Sequence, residues 1–174
     1  MRARFRTAAL VAAVTFAAAL AVVGLLEWRQ AARRDADVEQ RLRHGAEALA
    51  PAAAKLLELP REDSARAIAG WAAASGLRVT LIRADGTVEA DSETVPDLVR
   101  QMENHGGRPE VRMALRDAVG SSLRHSRTTN RTTLYVARRL GPADRPAGFL
   151  RLAFEKPPPR LPLLPLGGAL LVAI

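Results

Sequence analysis

Twenty consecutive uncharged residues, Thr7 to Leu26, constrain this chain more than any other feature. A bilayer's hydrocarbon core is roughly 30 Å thick and about 20 helical residues cross it, so the run is long enough to span. The apolar stretch of a secretory leader is shorter, about 7 to 15 residues, and ends at a small-residue site. Here the run ends instead in Val22-Val23-Gly24-Leu25-Leu26, followed by Glu27 and Trp28, with the indole at the depth where aromatic rings settle. Arg2, Arg4 and Arg6 are the charges before it, which predicts a cytoplasmic tail at residues 1–6 and a transmembrane helix over 7–28. A second uncharged stretch, Leu161 to Ile174, is expected to begin a return span that is truncated at 161–174. Lys156-Pro157-Pro158-Pro159-Arg160 leads into it, and its prolines make 157–160 a stiff linker. Residues 29–156 are then one exterior domain.

Within that domain the hydrophobic period changes once. Val38, Leu42, Ala46, Leu49, Ala53, Leu56 and Leu57 recur every three or four residues, predicting an amphipathic helix from Arg33 to Leu59 that continues out of the membrane. Pro51 has no amide proton and is expected to kink or interrupt it near Glu47, which makes Pro51 a candidate signalling hinge. Pro60 stops it. A second helix is expected from Glu62 to Ala74, closed by Gly76 in a left-handed cap. After Gly76 the alternation of Leu77, Val79 and Leu81 reads as a strand to Arg83, and Asp85-Gly86 as a hairpin turn into Val88–Asp91. Short helices are predicted at Pro96–Glu103 and Pro109–Ala118, a break at Gly120-Ser121-Ser122, and strands near Leu123–Arg127, Thr132–Arg139 and Phe149–Phe154. Five antiparallel strands with helices before and between them make an α+β domain.

Charge is unevenly spread: residues 27–99 carry ten basic and thirteen acidic groups, whereas 100–160 carry thirteen and five. A basic half points to an anionic partner, a small anion or a headgroup surface. Without interleaved aromatics it does not point to nucleic acid. Cysteine is absent, which removes disulfides and thiol chemistry. The phosphate-loop, nucleophile-elbow, HExxH and GxGxxG patterns are absent too, so no catalytic residue and no cofactor is assigned. His44, His105 and His125 have no metal-ligand spacing, and no metal site is assigned. The polar loop Asn104-His105-Gly106-Gly107-Arg108 opens a helix, so Asn104, His105, Arg108 and Arg112 are candidate ligand-binding residues for a small anion or carboxylate. The alternative is that they cap the loop and pair with nearby acids.

Several pieces in fixed order carry a family resemblance. They are Asp85-Gly86, Asp91-Ser92, Asn104-His105 with Arg108-Pro109-Glu110-Val111 and Ala114-Leu115, Gly120-Ser121-Ser122, Arg124-His125-Ser126, and Thr133-Leu134-Tyr135-Val136-Ala137. Over residues 77–155 the chain resembles the extracytoplasmic sensor region of phosphate-regulon-type sensor histidine kinases. The resemblance implies a PAS-like or Cache-like domain with a long N-terminal helix, a central antiparallel sheet and small helices over one face. It also implies a homodimer in a bacterial inner membrane, whose missing kinase domain would use ATP and Mg and pass a phosphoryl group to a response regulator. A chemoreceptor, a cyclic-dinucleotide enzyme or a membrane-anchored adaptor for a periplasmic partner could carry the same module.

Overall fold

The computed structural model describes residues 2–126 and 131–157. Helix α1 runs from Arg2 to Leu56, and its 55 residues extend about 80 Å at 1.5 Å per residue. It is long and apolar enough to cross a membrane, and none of its most apolar stretch is buried against the rest of the chain. From Val38 onward the same helix docks on the domain through Leu42, Ala46, Ala53 and Leu56.

The expected interruption at Pro51 is corrected by this helix, which continues past it to Leu56. Pro51 removes the amide that would bond the Glu47 carbonyl, but Pro51 and Glu47 both lie on the exposed side of α1. Water can meet the freed carbonyl there. Opposite them, Ala46 and Ala53 are fully buried and hold both halves of the helix on one surface.

Helix α2 (Arg61–Ser75) follows, and Gly76 closes it at φ 68°, its N–H donating to the Ala72 carbonyl at 2.8 Å. Strands β1 (Arg78–Arg83) and β2 (Val88–Asp91) form the expected hairpin, turning at Gly86 with φ 86°. The helix foreseen at Pro96–Glu103 shrinks to the single turn α3 (Pro96–Val99). Past Val99 the chain leaves the helix because its backbone is needed elsewhere: the His105 amide donates to the Gly86 carbonyl at 2.8 Å. Helix α4 (Pro109–Asp117) then leads into β3 (Val119–Ser126), β4 (Arg131–Leu140) and β5 (Gly148–Lys156).

Strand β3 begins four residues before the Leu123 expected, so Gly120-Ser121-Ser122 lies inside a strand instead of breaking one. These residues are small because helices press on both sides. A Cβ at Gly120 would collide with the Glu110 carbonyl and with Met113 of α4, while the Ser121 hydroxyl donates to Glu39 of α1 at 2.7 Å.

The five strands form one antiparallel sheet in the order β2-β1-β5-β4-β3. Helix α1 covers β4 and β5 on one face, and α2 covers β1 and β2 beside it. Their core joins Leu42, Ala46 and Leu56 of α1 and Ile68 of α2 to Val79, Leu81, Val136, Leu150 and Leu152 of the sheet. On the other face a smaller core gathers Val111 and Ala114 of α4 with Ile82, Ala137 and Phe149. The chain is therefore α+β in three layers. The segment assigned to a second span, 161–174, and most of the proline linker lie outside the described residues, as does the turn around 127–130.

Gly120→Val is expected to lift α4 from β3 and cost about 2–4 kcal/mol, because the obstructing atoms are largely backbone. Gly107→Ala, where an added Cβ meets nothing within 4 Å, is expected to be near neutral. Urea unfolding followed by circular dichroism compares the two.

Candidate functional site

Alternation along the strands places Leu150 and Leu152 against α1 and turns Arg151 to the α4 face. Helix α4 covers only part of that face. Beside it, the sheet is polar: Arg78, Arg124, Tyr135 and Arg151 line a cleft of about 270 Å³, closed from the loop before α4 by Met102, Glu103, His105 and Arg108. In the ladder Arg78 lies opposite Ala153, and Ala153 opposite Tyr135, so a small side chain separates two large ones and leaves room above the sheet.

One network joins the cleft's cations. The Glu110 carboxylate, fully buried in the first turn of α4, accepts from Arg124 at 3.0 Å and from the Ser122 hydroxyl at 2.6 Å. The same Oε1 lies 3.5 Å from Arg151 Nη1. Arg151 Nη2 donates to the Thr80 hydroxyl at 3.1 Å, Thr80 donates to Asp91 at 2.7 Å, and Asp91 accepts from Arg78 Nε at 3.1 Å. Burial by itself would raise the Asp91 carboxyl, but the Thr80 hydroxyl and the Arg78 guanidinium hold it below its ordinary value. Two guanidiniums also stand over one ring, with Arg124 Cζ 3.9 Å and Arg151 Cζ 5.1 Å from the Tyr135 centroid. Arg151 is 3 % exposed, and desolvation pushes its guanidinium down to about 10 despite Glu110 and Asp91.

The candidate residues read from the loop divide. His105 and Arg108 line the cleft. Asn104 does not; it fastens the loop to the β1–β2 turn, its Nδ2 donating to the Asp85 carbonyl at 2.8 Å and its Oδ1 accepting from the Gly106 amide at 2.8 Å. A side chain at Gly86 would strike Asn104 Oδ1, which accounts for glycine in that turn. Arg112 is exposed on α4 and is not among the cleft residues. Arg108 pairs with Glu103 across the loop. His44 and His125 are exposed. Among the described residues no three His, Cys, Asp or Glu groups cluster to hold a metal ion.

The sheet residues of the cleft, Arg78, Arg124, Tyr135 and Arg151, escaped the sequence reading. A signal existed in Phe149-Leu150-Arg151-Leu152-Ala153-Phe154, where one arginine interrupts a strand that is otherwise apolar on both faces.

His105 is 4 % exposed and donates from Nδ1 to the Glu103 carbonyl at 2.8 Å, since a carbonyl can only accept. Burial, then the nearby Arg151 and Arg78, push its pKa down to about 4, with Asp91 and Glu110 opposing. The imidazole in the folded protein is therefore neutral at pH 7.

No protein-family model matches this chain, and no curated protein matches it either.

A histidine held neutral supports the fold above its unfolded pKa near 6.5, and that support is lost as the pH falls through 6.5 toward 4, because the unfolded chain then binds the extra proton. Between pH 7 and 5 the expected loss from His105 is about 2 kcal/mol. His105→Gln is expected to remove this slope, measured as the difference in unfolding free energy between the two pH values relative to the parent chain. Equal losses in both chains would show that the imidazole is not held neutral by burial.

Proposed function

We propose that the chain is the sensory input and transmembrane signalling portion of a two-component sensor histidine kinase. The observation that carries this reading is the single uninterrupted helix α1, which unites a membrane-length apolar segment with the stripe docked under the sheet. Whatever displaces the sheet relative to α1 displaces a rod that continues into the apolar segment, with no linker between them to absorb the movement.

The far end of the domain supports the same topology. Lys156, the last residue of β5, pairs with Asp35 of α1 at 2.6 Å. Asp35 lies nine residues beyond Leu26, about 14 Å along the helix axis, so β5 ends on the side from which α1 enters. A return span over 161–174 would then lie beside the first. A long N-terminal helix, a central antiparallel sheet and small helices over one face are the parts of a PAS-like or Cache-like sensor domain, and we read the domain as one, extracytoplasmic and homodimeric. In this reading a kinase domain using ATP and Mg would follow Ile174 and would address a response regulator as a separate partner. Pro51 leaves the Glu47 carbonyl without its helical partner and does not divide the helix.

The input and the rod meet at β3. Ser122 donates to Glu110 in the cleft while its neighbour Ser121 donates to Glu39 on α1, so consecutive residues of one strand hold the two faces. Arg138 adds a second tie, pairing with Glu47 of α1 at 2.7 Å.

Because the chain has no cysteine, topology can be read with single introduced thiols. A thiol placed by Thr94→Cys, in the turn after β2, is expected to react with a membrane-impermeant maleimide on intact cells, and one placed by Ala3→Cys only after permeabilisation. Labelling in the reverse order overturns the receptor reading. Translation past Ile174 into a histidine-bearing helix and an ATP-binding domain supports the kinase; a second span with a short tail would favour the adaptor.

A further inference from the structure

Arginine is costly to withdraw from water unless its five N–H groups find acceptors. In the cleft that condition is only partly met. Arg151 is buried, yet its Nε has no acceptor, and its hydrogen-bonded partner is the Thr80 hydroxyl. The Nε of Arg124 is likewise buried without an acceptor. Outside the cleft, Arg61, Arg138 and Arg139 also carry buried N–H groups without a hydrogen-bonded acceptor; what sets these two apart is that their guanidiniums share one carboxylate oxygen and one aromatic ring.

Charge gives the same indication. Four guanidiniums line the cleft, and the buried carboxylates that meet them are two, Asp91 and Glu110. The remaining partners, Glu93 on Arg78 and Glu103 on Arg108, are 60 % and 68 % exposed and can turn into water at little cost. Against the two buried carboxylates alone the four guanidiniums leave an excess of two positive charges: Arg124 and Arg151 share Glu110, and Arg108 is paired by Glu103 at the rim.

We propose that this cleft binds a compact oxyanion of charge near −2, seated over Tyr135 between the guanidiniums of Arg151, Arg124 and Arg78, with Arg108 closing over it after exchanging Glu103 for the ligand. A volume of about 270 Å³ admits a tetrahedral oxyanion or a short dicarboxylate. Both present the paired oxygens that planar guanidiniums recognise in a forked geometry. The site stands on the cleft itself; its consequence for signalling rests on the receptor reading. Binding would draw Arg124 and Arg151 toward the ligand and loosen their hold on Glu110, which reaches α1 through Ser122 and Ser121.

Calorimetry on the whole 174-residue chain in lipid nanodiscs at pH 7 and low salt tests this, with inorganic phosphate, sulfate and succinate as probes and acetate as the singly charged control. At least one dianion is expected to bind about tenfold or more tighter than acetate, and the ranking of succinate against the two tetrahedral ions identifies the ligand's shape. Arg108→Ala is expected to weaken that binding by about tenfold or more. Glu103→Gln is expected to tighten it about threefold, because a rival carboxylate is gone; a purely structural ion pair would not do so. Both substitutions lie in the exposed loop, away from the core. No preference for any dianion over acetate, or unchanged affinity in Arg108→Ala, overturns the proposal, and an unchanged affinity in Glu103→Gln overturns the exchange. Calorimetry reads binding without any output, whereas thiol labelling reads topology without any ligand, so the two readings fail separately.

Discussion

The central strand β5 has no solvent face, and most of the domain follows from that constraint. From Gly148 to Ala153 every residue is buried, with α1 on one side and α4 with its loop on the other. Leu150 and Leu152 meet the constraint with apolar contact. Arg151, pointing the opposite way, cannot, and its charge sets what must surround it. Glu110 must sit in the first turn of α4, where the helix dipole also favours a carboxylate. Thr80 must offer a hydroxyl in register on β1, where it lies opposite Arg151. Asp91 must follow on β2, opposite Thr80 in the next rung. A buried ion network of this kind is weak support for stability, since apolar side chains of the same volume would often serve as well. A network that adds little stability and leaves two N–H groups unmet in the cleft is what the proposed anion site would require.

The same alternation makes the sheet a thin partition between two kinds of surface. On the α1 side, contact is mainly between apolar stripes, which can slide or tilt with little change in burial. In the cleft beside the apolar patch under α4, contact is through directional hydrogen bonds, which cannot; on the α1 side such ties run from Glu39, Glu47 and Asp35. A small rearrangement among guanidiniums is therefore resisted locally and can be relieved across the partition. Ser121 and Ser122 are suited to carry it because their hydroxyls are short and leave the backbone of β3 as the moving part. Interfaces of packed elements tend to have discrete alternative arrangements rather than a continuum, which is what a two-state receptor needs.

Much of this architecture was legible in the residues. The change from a period of three or four to a period of two at Gly76 fixed where helices give way to strands, and Asp85-Gly86 marked its turn correctly. Two departures share a cause. The helix is not interrupted at Pro51 and β3 does not break at Gly120-Ser121-Ser122, because each sits where tertiary contact overrides the local signal: an exposed helix face opposite a buried stripe, and a strand squeezed between two helices. The cleft was half legible for a related reason. His105 and Arg108 lie close together in a polar loop, where proximity in sequence suggests proximity in space. Arg78, Arg124 and Arg151 come from three strands separated by dozens of residues, and only the register of the sheet brings them to one face. Asn104 stands in the same polar loop, where ligand binding and loop capping are both open from sequence; its amide serves the turn at Gly86 and it does not line the cleft.

The continuity of α1 limits how such a domain could report its state. A helix divided at Pro51 could bend there and leave the apolar segment unmoved. The helix observed here continues through Pro51, and residues 10–37 are exposed, with Asp35 meeting Lys156 of β5. Displacement at the sheet must then appear as rotation, tilt or axial shift of the whole helix. In the proposed membrane topology a piston motion would drag charged groups such as Glu27 and Arg29 toward hydrocarbon, which is costly. Rotation or tilt leaves them at the boundary, where Trp28 also anchors comfortably. Lys156 on Asp35 ties the exit of β5 to the same stretch of helix, so a tilt of α1 would carry the start of the proline linker with it. That tie favours rotation or tilt of α1 together with the end of β5 over sliding of one past the other.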